Sequence, residues 1–433
     1  MSNVNQRRPR LPYQNNYSPW QTPHEQQNLQ SPLPLLVPAP NIPTAHGFTP
    51  RYPLNQPLEK HLPYRLWSNT TYQDVFHRDH HEHFKFHLVC YNILSQNLLE
   101  NNSFLYQNCY KNNLKWYKRK NRLLRELLRQ DADILCLQEM QVDHYETEFR
   151  PALTQEGYDS IYIKRSGDKF DGCCLFYRRN RLKLVDSKAV SFYRSDVRIL
   201  NKDNCGLIAL FQPLTQNASE HDLFCVATTH LLFSPKRGDI KLAQVQYFLA
   251  EIDRLASKPD EPNLHYPIIL CGDLNAQPLC PLINFLLSGY LQYNSYTCKQ
   301  ISESMLALTM NNSFSYPLPS QELLPSSFVT SDCRFPSVEF HNPTFGVLTH
   351  NKQFVSVYDL NDLSSVTSGV TDESKTVDYI FYSQQNNDPY RLNLLSRLNL
   401  YNQNQMVDVH IPNHQFPSDH FLLGAKFALK LKQ

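Results

Sequence analysis

Short runs of branched and aromatic apolar residues recur along the chain from residue 86 onward, and each has the length of a β-strand. The predicted strands span 86–92, 133–139, 173–178, 207–213, 222–231, 267–273, 376–382 and 421–430. Longer segments with apolar residues three and four positions apart predict helices, and these span 111–130, 239–256 and 281–289. Strands that alternate with helices predict an α/β protein, although the pattern alone does not fix the order of the strands.

The first predicted helix, 111–130, combines an apolar stripe with many basic residues. Its spacing predicts that Leu114, Tyr117, Leu124 and Leu128 share the stripe that faces the core. The remaining positions carry basic side chains: Lys111, Lys115, Lys118, Arg119, Arg122, Arg125 and Arg129. These charges form either an ordinary solvated face or a contact surface for RNA, and the pattern fits both interpretations.

The chain divides into an irregular N-terminal arm and a body. Residues 1–80 contain 13 of the 29 prolines, many Asn and Gln, and almost no apolar periodicity. Such a segment buries too little surface to offset the entropy lost on ordering, so we expect a disordered arm there and a catalytic domain over 84–433. Within the arm, 33–38 is either a passive linker or a binding element for an unspecified protein. Within the body, 299–345 is rich in Ser, Pro and Asn and predicts a long irregular insertion.

Composition sets few limits on function. The net charge of +2 does not by itself indicate a nucleic-acid partner. Eleven cysteines, several of them inside apolar runs, indicate small buried side chains in a reducing compartment. No apolar stretch reaches membrane-spanning length, so no membrane partner is expected. We expect a cytoplasmic protein, with a nuclear or mitochondrial pool as alternatives. Arg7, Arg8 and Arg10 fit a mitochondrial leader, but the prolines around them disfavour the helix that a leader needs.

Polar side chains of related chemistry stand at the ends of the predicted strands. Asp273 and Asn275 follow an apolar run two positions apart, so both side chains lie on one face of the strand terminus. Other strand ends carry matching groups: Asn92, Glu139, His230, Asp378, Asp419 and His420. Because core packing does not require such a set, we interpret it as one candidate active site.

The donor types indicate which cation this site would bind. Carboxylate and amide oxygens, with no Cys and few His, suit Mg²⁺ or Mn²⁺. Mg²⁺ retains waters and is normally completed by a substrate phosphate, which fits hydrolysis of a phosphoester. The residues therefore predict a hydrolase that depends on Mg²⁺, with Mn²⁺ as the alternative.

Over roughly residues 86–430, the order of these motifs resembles that of the exonuclease–endonuclease–phosphatase superfamily. Several segments are similar to the carbon-catabolite-repressor-type deadenylases: Tyr91–Gln96, Leu137–Glu139, Asp171–Cys174, Thr229–Leu231, Gly272–Asn275 and Val377–Ile380. Three others, Asp143–Tyr145, Asp203–Leu207 and Pro235–Leu242, look most like the angel proteins. The resemblance implies a DNase-I-like four-layer sandwich, in which two packed mixed β-sheets are flanked by helices.

The resemblance also implies how the metal ion and the attacking water are held. Asn92 and Glu139 would hold the ion that polarises the phosphate, and Asp419 would support its coordination. Asp273 and Asn275 would position the attacking water or a second ion. These roles belong to the family and come to this chain only through the matching motifs.

The same resemblance assigns the remaining candidates to the phosphate and the RNA. His420, oriented by Asp378, would bind the phosphate or transfer protons, and His230 would stabilise developing negative charge. Four residues are candidates for substrate contacts: Asp171, Asn204, Lys236 and Arg237.

RNA is the substrate that the resemblance implies, and two reactions fit it. Angel proteins are associated with hydrolysis of 2′,3′-cyclic phosphate at RNA ends, whereas the deadenylases remove nucleotides 3′ to 5′ from poly(A). The sequence does not separate these two activities, because one metal site could perform both. A different class is a non-catalytic protein that binds RNA or a translation factor. Loss of a metal carboxylate would mark that class, and none is lost here.

Overall fold

The computed structural model describes residues 60–71, 82–259, 261, 264–304, 317–318, 323–330, 346–369, 374–384 and 391–432. Their strands are β1 Trp67–Asn69, β2 His83–Asn92, β3 Ile134–Gln141, β4 Tyr158–Lys164, β5 Asp171–Arg178, β6 Leu182–Ser191, β7 Cys205–Pro213, β8 Phe224–His230, β9 Ile268–Asp273, β10 Tyr290–Gln292, β11 Val347–Thr349, β12 Phe354–Ser356, β13 Ser365–Val366, β14 Asp378–Ser383, β15 Leu392–Leu398, β16 Tyr401–Asn402 and β17 Leu423–Lys430.

The helices connect and cover these strands. The α-helices are α1 Gln96–Asn101, α2 Trp116–Gln130, α3 Val142–His144, α4 Arg150–Gln155, α5 Gly238–Ala256, α6 Pro281–Ser288 and α7 Gln403–Met406. Other helical turns, which are not α-helical, cover Ser103–Tyr106, Tyr145–Phe149, Tyr293–Ser295 and Ser326–Phe328. Among the described residues, no helix combines the length and the apolar character needed to cross a membrane.

Two large mixed sheets form the centre of the fold. One has seven strands in the order β1-β15-β17-β2-β3-β5-β4, and the other has six in the order β12-β14-β9-β8-β7-β6. Each contains one parallel pair, β2 with β3 and β8 with β9. Alternate side chains of both sheets point into the space between them. There Phe86 of the first sheet packs on Phe224 of the second, with ring centroids 4.8 Å apart.

Helices cover the outer faces of both sheets. Leu123 and Leu127 of α2 pack on Val89 in the seven-stranded sheet. Phe248 of α5 packs in the cluster that contains Ile208 of the six-stranded sheet. These layers run helix, sheet, sheet, helix, so the four-layer arrangement implied by the family resemblance is confirmed.

The parallel pairs bring chemically related side chains to one edge of the sandwich. Carboxyl ends of adjacent parallel strands lie at the same edge of a sheet, so β2 and β3 deliver Asn92 and Glu139 together. In the other sheet, His230 ends β8 opposite Asp273 of β9. Strand β14 runs antiparallel to β9, and its first residue, Asp378, pairs with Asp273. The topology therefore brings five of the predicted strand-end residues to one edge of the sandwich.

Helix α2 corrects the predicted apolar stripe. The helix begins at Trp116 rather than at residue 111, and its buried residues are Arg119, Leu123 and Leu127. Tyr117, predicted to face the core, is 53% exposed. Leu124 and Leu128 do pack against the core as partly buried side chains, so the prediction was wrong for Tyr117 and for the centre of the stripe, which lies at Leu123 and Leu127. Arg119 belongs to that stripe, so the solvated or RNA-contacting face predicted for it is also wrong.

The N-terminal boundary needs a second correction. Residues 60–71, assigned to the disordered arm, belong to the body, because β1 pairs antiparallel with β15 and Leu62 is buried. The polar, proline-rich sequence around them hides a single short edge strand. The rest of the arm, 1–59 and 72–80, lies outside the described residues, as does most of the insertion predicted over 299–345.

Candidate active site

Asp273, the last residue of β9, lies at the centre of the candidate active site. Its Oδ2 accepts a hydrogen bond of 3.0 Å from Nδ2 of Asn92. The same oxygen lies 3.5 Å from Nε2 of His230 and 3.8 Å from Nε2 of His420. Its Oδ1 accepts a hydrogen bond of 2.9 Å from the backbone N–H of Asn275. Side chains predicted from separate strand ends therefore meet at one carboxylate.

Glu139 faces this carboxylate from the seven-stranded sheet. Its φ is +58°, and the register of β3 against β5 shifts at this residue. A bulge of this kind re-aims a side chain, and such positions are typical of active sites. Oε1 accepts a hydrogen bond of 2.9 Å from Nδ2 of Asn92, and Oε2 accepts one of 3.0 Å from the N–H of Ser95. Burial raises the pKa of the Glu139 carboxyl, and the nearby His230 opposes that shift.

Two groups of buried side chains are arranged so that each could hold a metal ion: Glu139 with His230 and Asp273, and Asp273 with Asp378 and His420. Within each group the candidate ligand atoms lie within 4.8 Å of one another. Asp273 belongs to both groups. Carboxylate oxygens supply most of the donors, and hard divalent cations such as Mg²⁺ and Mn²⁺ prefer these oxygens. The donor set therefore fits the predicted class of ion.

Asn92 contributes to the site in a way that differs from the prediction. It is fully buried, and its amide nitrogen, not its oxygen, faces the two carboxylates of Glu139 and Asp273. Its Oδ1 instead accepts a hydrogen bond of 3.1 Å from the N–H of Leu94. As a donor between two acids, Asn92 lowers the repulsion between them. Direct ligation of a metal through its oxygen stays a prediction.

His420 and Asp378 form the second half of the site. Nδ1 of His420 lies 2.8 Å from Oδ2 of Asp378, so the carboxylate orients the imidazole. Burial alone would lower the pKa of His420, but Asp378 and the neighbouring acids raise it well above its usual value. Burial also raises the pKa of Asp378, and His420 counteracts that effect. A charged imidazolium whose Nε2 faces Asp273 can bind a phosphate oxygen or donate a proton.

The structure places the other two predicted residues next to this centre. Nδ2 of Asn275 donates to the carbonyl of Leu231 at 3.0 Å, which connects the loop after β9 to the loop after β8. Oδ2 of Asp419 accepts a hydrogen bond of 2.7 Å from the hydroxyl of Tyr106. Asp419 is not in either of the two groups that could share an ion. The roles predicted for both, in water or metal binding, stay predictions.

The four predicted substrate contacts surround the site at different places, and Asp171 lies close enough to Glu139 to raise its pKa. Asp171 lies 3.3 Å from Nη1 of Arg165 and is buried. Asn204 is also buried, and its Nδ2 donates to the carbonyl of His230 at 3.2 Å. The side chain of Asn204 therefore holds the backbone at His230, where β8 ends. Contact with RNA through Asp171 or Asn204 stays a prediction.

The two basic candidates lie on the surface beyond His230. Lys236 is exposed. Arg237 donates from Nε and Nη2 to the carboxylate of Asp239, at 3.0 and 2.9 Å, just before the start of α5. Hydrogen bonding to Asp239 raises the pKa of Arg237. Contact of either cation with RNA stays a prediction.

Sequence reasoning missed two buried cations that support the site. Lys241 of α5 donates from Nζ to the carbonyl of Asn275 and to Oγ of Ser302. Burial lowers the pKa of Lys241 to about 8. Arg119 of α2 donates to the carbonyl of Pro417 at 2.7 Å. The only signal in the sequence is a basic residue on the side of a helix that faces the protein core. That signal can be recognised only when the buried stripe of the helix is predicted correctly.

Buried carboxylates and histidines around one shared aspartate, at an edge of a two-sheet sandwich, suit metal-dependent hydrolysis of phosphoesters. A family model described as the Endonuclease/Exonuclease/phosphatase family matches residues 89–420, a span that contains both groups of candidate ligands. The chain belongs to this family.

Curated relatives narrow the class to the angel proteins. Protein angel homolog 2 of Bos taurus is 36% identical over 393 residues, which cover 83% of this chain and 72% of that protein. Protein angel homolog 2 of Homo sapiens is 35% identical over 388 residues, which cover 82% and 71%. The resemblance to the angel proteins that the motifs indicated is therefore confirmed.

Solved structures agree with this placement. The crystal structure of ANGEL2, a 2′,3′-cyclic phosphatase, in complex with adenosine-2′,3′-vanadate matches with a TM-score of 0.72 and 35% identity, covering 86% of this chain and 100% of that chain. The human Nocturnin catalytic domain with bound sulfate matches with a TM-score of 0.51 and 22% identity, covering 84% and 97%. That second likeness shows the shared fold alone.

Proposed function

We propose that this chain is a metal-dependent phosphoesterase that hydrolyses the 2′,3′-cyclic phosphate at the 3′ end of RNA. The observation that carries the proposal is that Asp273 belongs to both groups of candidate ligands, one with Glu139 and His230 and the other with Asp378 and His420. The likeness to ANGEL2, a 2′,3′-cyclic phosphatase, supports the choice of substrate. RNA is accordingly the partner that we propose.

Mg²⁺ is the proposed cofactor, with Mn²⁺ as the alternative. Glu139 and Asp273 would hold the ion, since both are buried carboxylates on facing sheets, and His230 lies beside them. A bound divalent ion would polarise a phosphoryl oxygen and neutralise part of the charge on the substrate.

The protein side chains would orient the substrate and move the protons. Hydrolysis forms a new bond from a water oxygen to phosphorus, with loss of one proton from that water, and it breaks one bond from phosphorus to a ribose oxygen, which must gain a proton. His420, kept charged by Asp378, is placed to supply that proton from Nε2. A second hydrolysis of the resulting monoester releases inorganic phosphate and leaves both ribose hydroxyls.

One experiment tests this function against its alternatives. Labelled oligoadenylate carrying either a 2′,3′-cyclic phosphate or a 3′-hydroxyl is incubated with the protein and Mg²⁺, and products are resolved by length and by terminal phosphate. We expect loss of the terminal phosphate at unchanged length. A ladder of shortened products from the hydroxyl substrate would instead identify a poly(A) exonuclease. No reaction with either RNA would contradict the proposal and favour a non-catalytic RNA or translation-factor binder.

The proposed compartment is the cytoplasm, with nuclear or mitochondrial pools as the alternatives. The ten cysteines that the structure describes are all free thiols, which supports a reducing environment. Imaging of the full chain with a fluorescent tag at its C-terminus tests the proposal. A signal confined to mitochondria would contradict it and would assign a targeting role to the arm.

A further inference from the structure

Arg119 is a charged side chain that the structure buries completely, on the face that α2 turns toward the seven-stranded sheet. Its neighbours on that face, Leu123 and Leu127, belong to the hydrophobic core. Burial lowers the pKa of the guanidinium to about 10, which still leaves it charged at neutral pH. Removal of a charge from water is costly unless its donors find strong acceptors.

The guanidinium donates to two loops at the active-site edge. Nε donates to the carbonyl of Pro417 at 2.7 Å, and Nη1 donates to Oε1 of Gln96 at 2.9 Å. Nη2 donates to the carbonyls of Ile93 at 2.7 Å and Leu94 at 2.6 Å. The planar fork of an arginine can bond acceptors in two directions at once, which the point charge of a lysine does not reproduce.

Both loops carry side chains of the candidate active site. One loop directly follows Asn92, and in the other Pro417 lies three residues before His420. A hydrogen bond of 2.7 Å from Oγ of Ser418 to the carbonyl of Asn92 joins the same loops a second time. Through its acceptors, Arg119 therefore fixes the distance between a residue that contacts Glu139 and the proposed proton donor.

The backbone conformation of Leu94 explains why its carbonyl needs a strong donor such as Arg119. Its φ is +58°, an uncommon conformation for a residue with a branched side chain. Such backbone persists only where the surroundings hold it. Leu94 is held at both ends, because its N–H donates to Oδ1 of Asn92 and its carbonyl accepts from Arg119.

We propose that Arg119 is a positioning residue for the phosphoesterase reaction, which aligns Asn92 with His420 without touching the substrate. The inference rests on the proposed function only for its catalytic consequence, since the alignment itself is measurable without turnover. A merely structural arginine would lower stability in proportion to the bonds lost, and it would leave turnover unchanged well below the melting temperature.

The test compares Arg119→Lys with two controls. Arg181→Lys alters an arginine whose Nη2 donates to the carbonyl of Lys85 at 2.6 Å, at the far end of β2 from the site. Leu127→Ala removes a core contact of α2 and calibrates the effect of lost stability alone. We expect Arg119→Lys to lower kcat on the cyclic RNA at least about tenfold with KM within about threefold. Both controls should stay within about twofold of wild type in kcat.

Backbone hydrogen exchange in the metal-free protein gives a readout that needs no turnover. The reporters are the N–H groups of Leu94, Ser95 and His420, which lie in the two loops and donate to Asn92, Glu139 and Ser418 respectively. We expect these amides to exchange at least about tenfold faster in Arg119→Lys than in wild type. The same amides should be unchanged in Arg181→Lys.

Two outcomes would overturn the inference: wild-type kcat in a folded Arg119→Lys protein, or unchanged exchange at all three reporter amides. If the lysine variant does not fold, Gln96→Ala replaces it, because it removes the acceptor of Nη1 and leaves the other acceptors of Arg119 in place. It also removes the hydrogen bonds from Nε2 of Gln96 to Glu100 and to the carbonyl of Leu114. That variant should lower kcat at least about threefold and accelerate the same amides, and no change in either would also refute the role. A wild-type protein inactive on RNA would refute the proposed function instead, while the exchange comparison would still decide the alignment.

Discussion

Asp273 is held by contacts from several elements, and this arrangement decides how the site responds to substitution. Its carboxylate accepts from Asn92 of β2 and from the backbone of Asn275, and it lies beside His230 and His420. A neutral amide at this position would retain the shape of the side chain but lose its negative charge. Because hard divalent ions bind charged oxygens most strongly, the charge matters more than the shape.

At this scale we expect Glu139→Gln and Asp273→Asn to lower hydrolysis of the cyclic RNA by at least about 100-fold at saturating Mg²⁺. Each substitution replaces a hard anionic ligand with a neutral group of nearly the same size. Initial rates and melting temperatures of purified proteins provide the measurement. Activity within about tenfold of wild type in either folded variant would contradict the site assignment.

Asp222→Asn provides the matched control. Asp222 is fully buried and Asp273 nearly so, but Asp222 accepts from the guanidinium of Arg391 and from the backbone N–H of Lys432, at the opposite end of β8 from His230. Its loss should reduce stability and leave kcat within about twofold of wild type, because it shares no partner with the site. Equal losses of activity in Asp222→Asn and Asp273→Asn would indicate general damage instead of lost chemistry.

Residues of the site were predictable where an apolar run ends in a polar group, as at Asn92 and Asp273. Such residues can be identified from the sequence because their position at the end of a strand fixes their position at the edge of the sheet. Arg119 and Tyr106 were not predictable, since their roles depend on contacts with Pro417 and Asp419 far away in sequence. Periodicity describes one element at a time and carries no information about such pairs.

At the scale of elements, the close approach of β8 and β9 explains the glycine that precedes Asp273. Gly272 has φ of +140°, and a Cβ added there would lie 1.9 Å from the carbonyl oxygen of Thr229 in β8. No side chain can occupy that space without separating the two strands. The parallel pair that brings His230 beside Asp273 therefore depends on this glycine.

We expect Gly272→Ala to reduce the free energy of unfolding by more than about 3 kcal/mol, because it adds both a clash and backbone strain. Gly157→Ala is the matched control, since Gly157 has φ of +89° but nothing within 4 Å of the added Cβ. Strain alone should cost the control about 1 kcal/mol. Urea denaturation of both variants measures the difference, and similar losses would show that the contact with Thr229 is not limiting.

Strands could be predicted from the sequence where both of their faces are buried. Strands with one solvated face were missed. Strand β9 and the second half of β2, Leu88–Tyr91, are continuous apolar runs, as expected for the centre of a sandwich. Strand β6 at the edge of its sheet is mostly exposed, and its sequence, LKLVDSKAVS, lacks such a run. Strand β15 was also missed, although it is largely buried, because polar residues interrupt its apolar pattern.

At the scale of the whole molecule, the seven-stranded sheet extends into the segment that composition assigned to the arm. The residues from Leu58 to Gln433 form one compact unit. Within it, Trp67–Asn69 pairs with β15, and Leu62 packs in a small cluster with Tyr401 and Phe421. Apolar burial on this scale stabilises a domain by about 2 kcal/mol for each large side chain. Composition averaged over a long polar segment conceals so short a stretch.

The position of this boundary gives a test of the whole domain. A chain that begins at Leu58 should match the full-length protein in melting temperature and in kcat on cyclic RNA, because it keeps β1 and the cluster around Leu62.

A chain that begins at Phe84 should melt at least about 5 °C lower, since it loses the pairing of β1 with β15 and the contacts of Leu62 with Tyr401 and Phe421. Its kcat at low temperature should nevertheless stay within about threefold of wild type, because β1 lies at the edge of its sheet and supplies no side chain to the site. Differential scanning calorimetry, together with initial rates at about 15–20 °C, separates these effects, because most domains melt about 25 °C or more above that temperature. Equal melting temperatures for the two truncated chains would place the true boundary after β1, whereas loss of kcat in the chain from Leu58 would assign a catalytic role to residues 1–57.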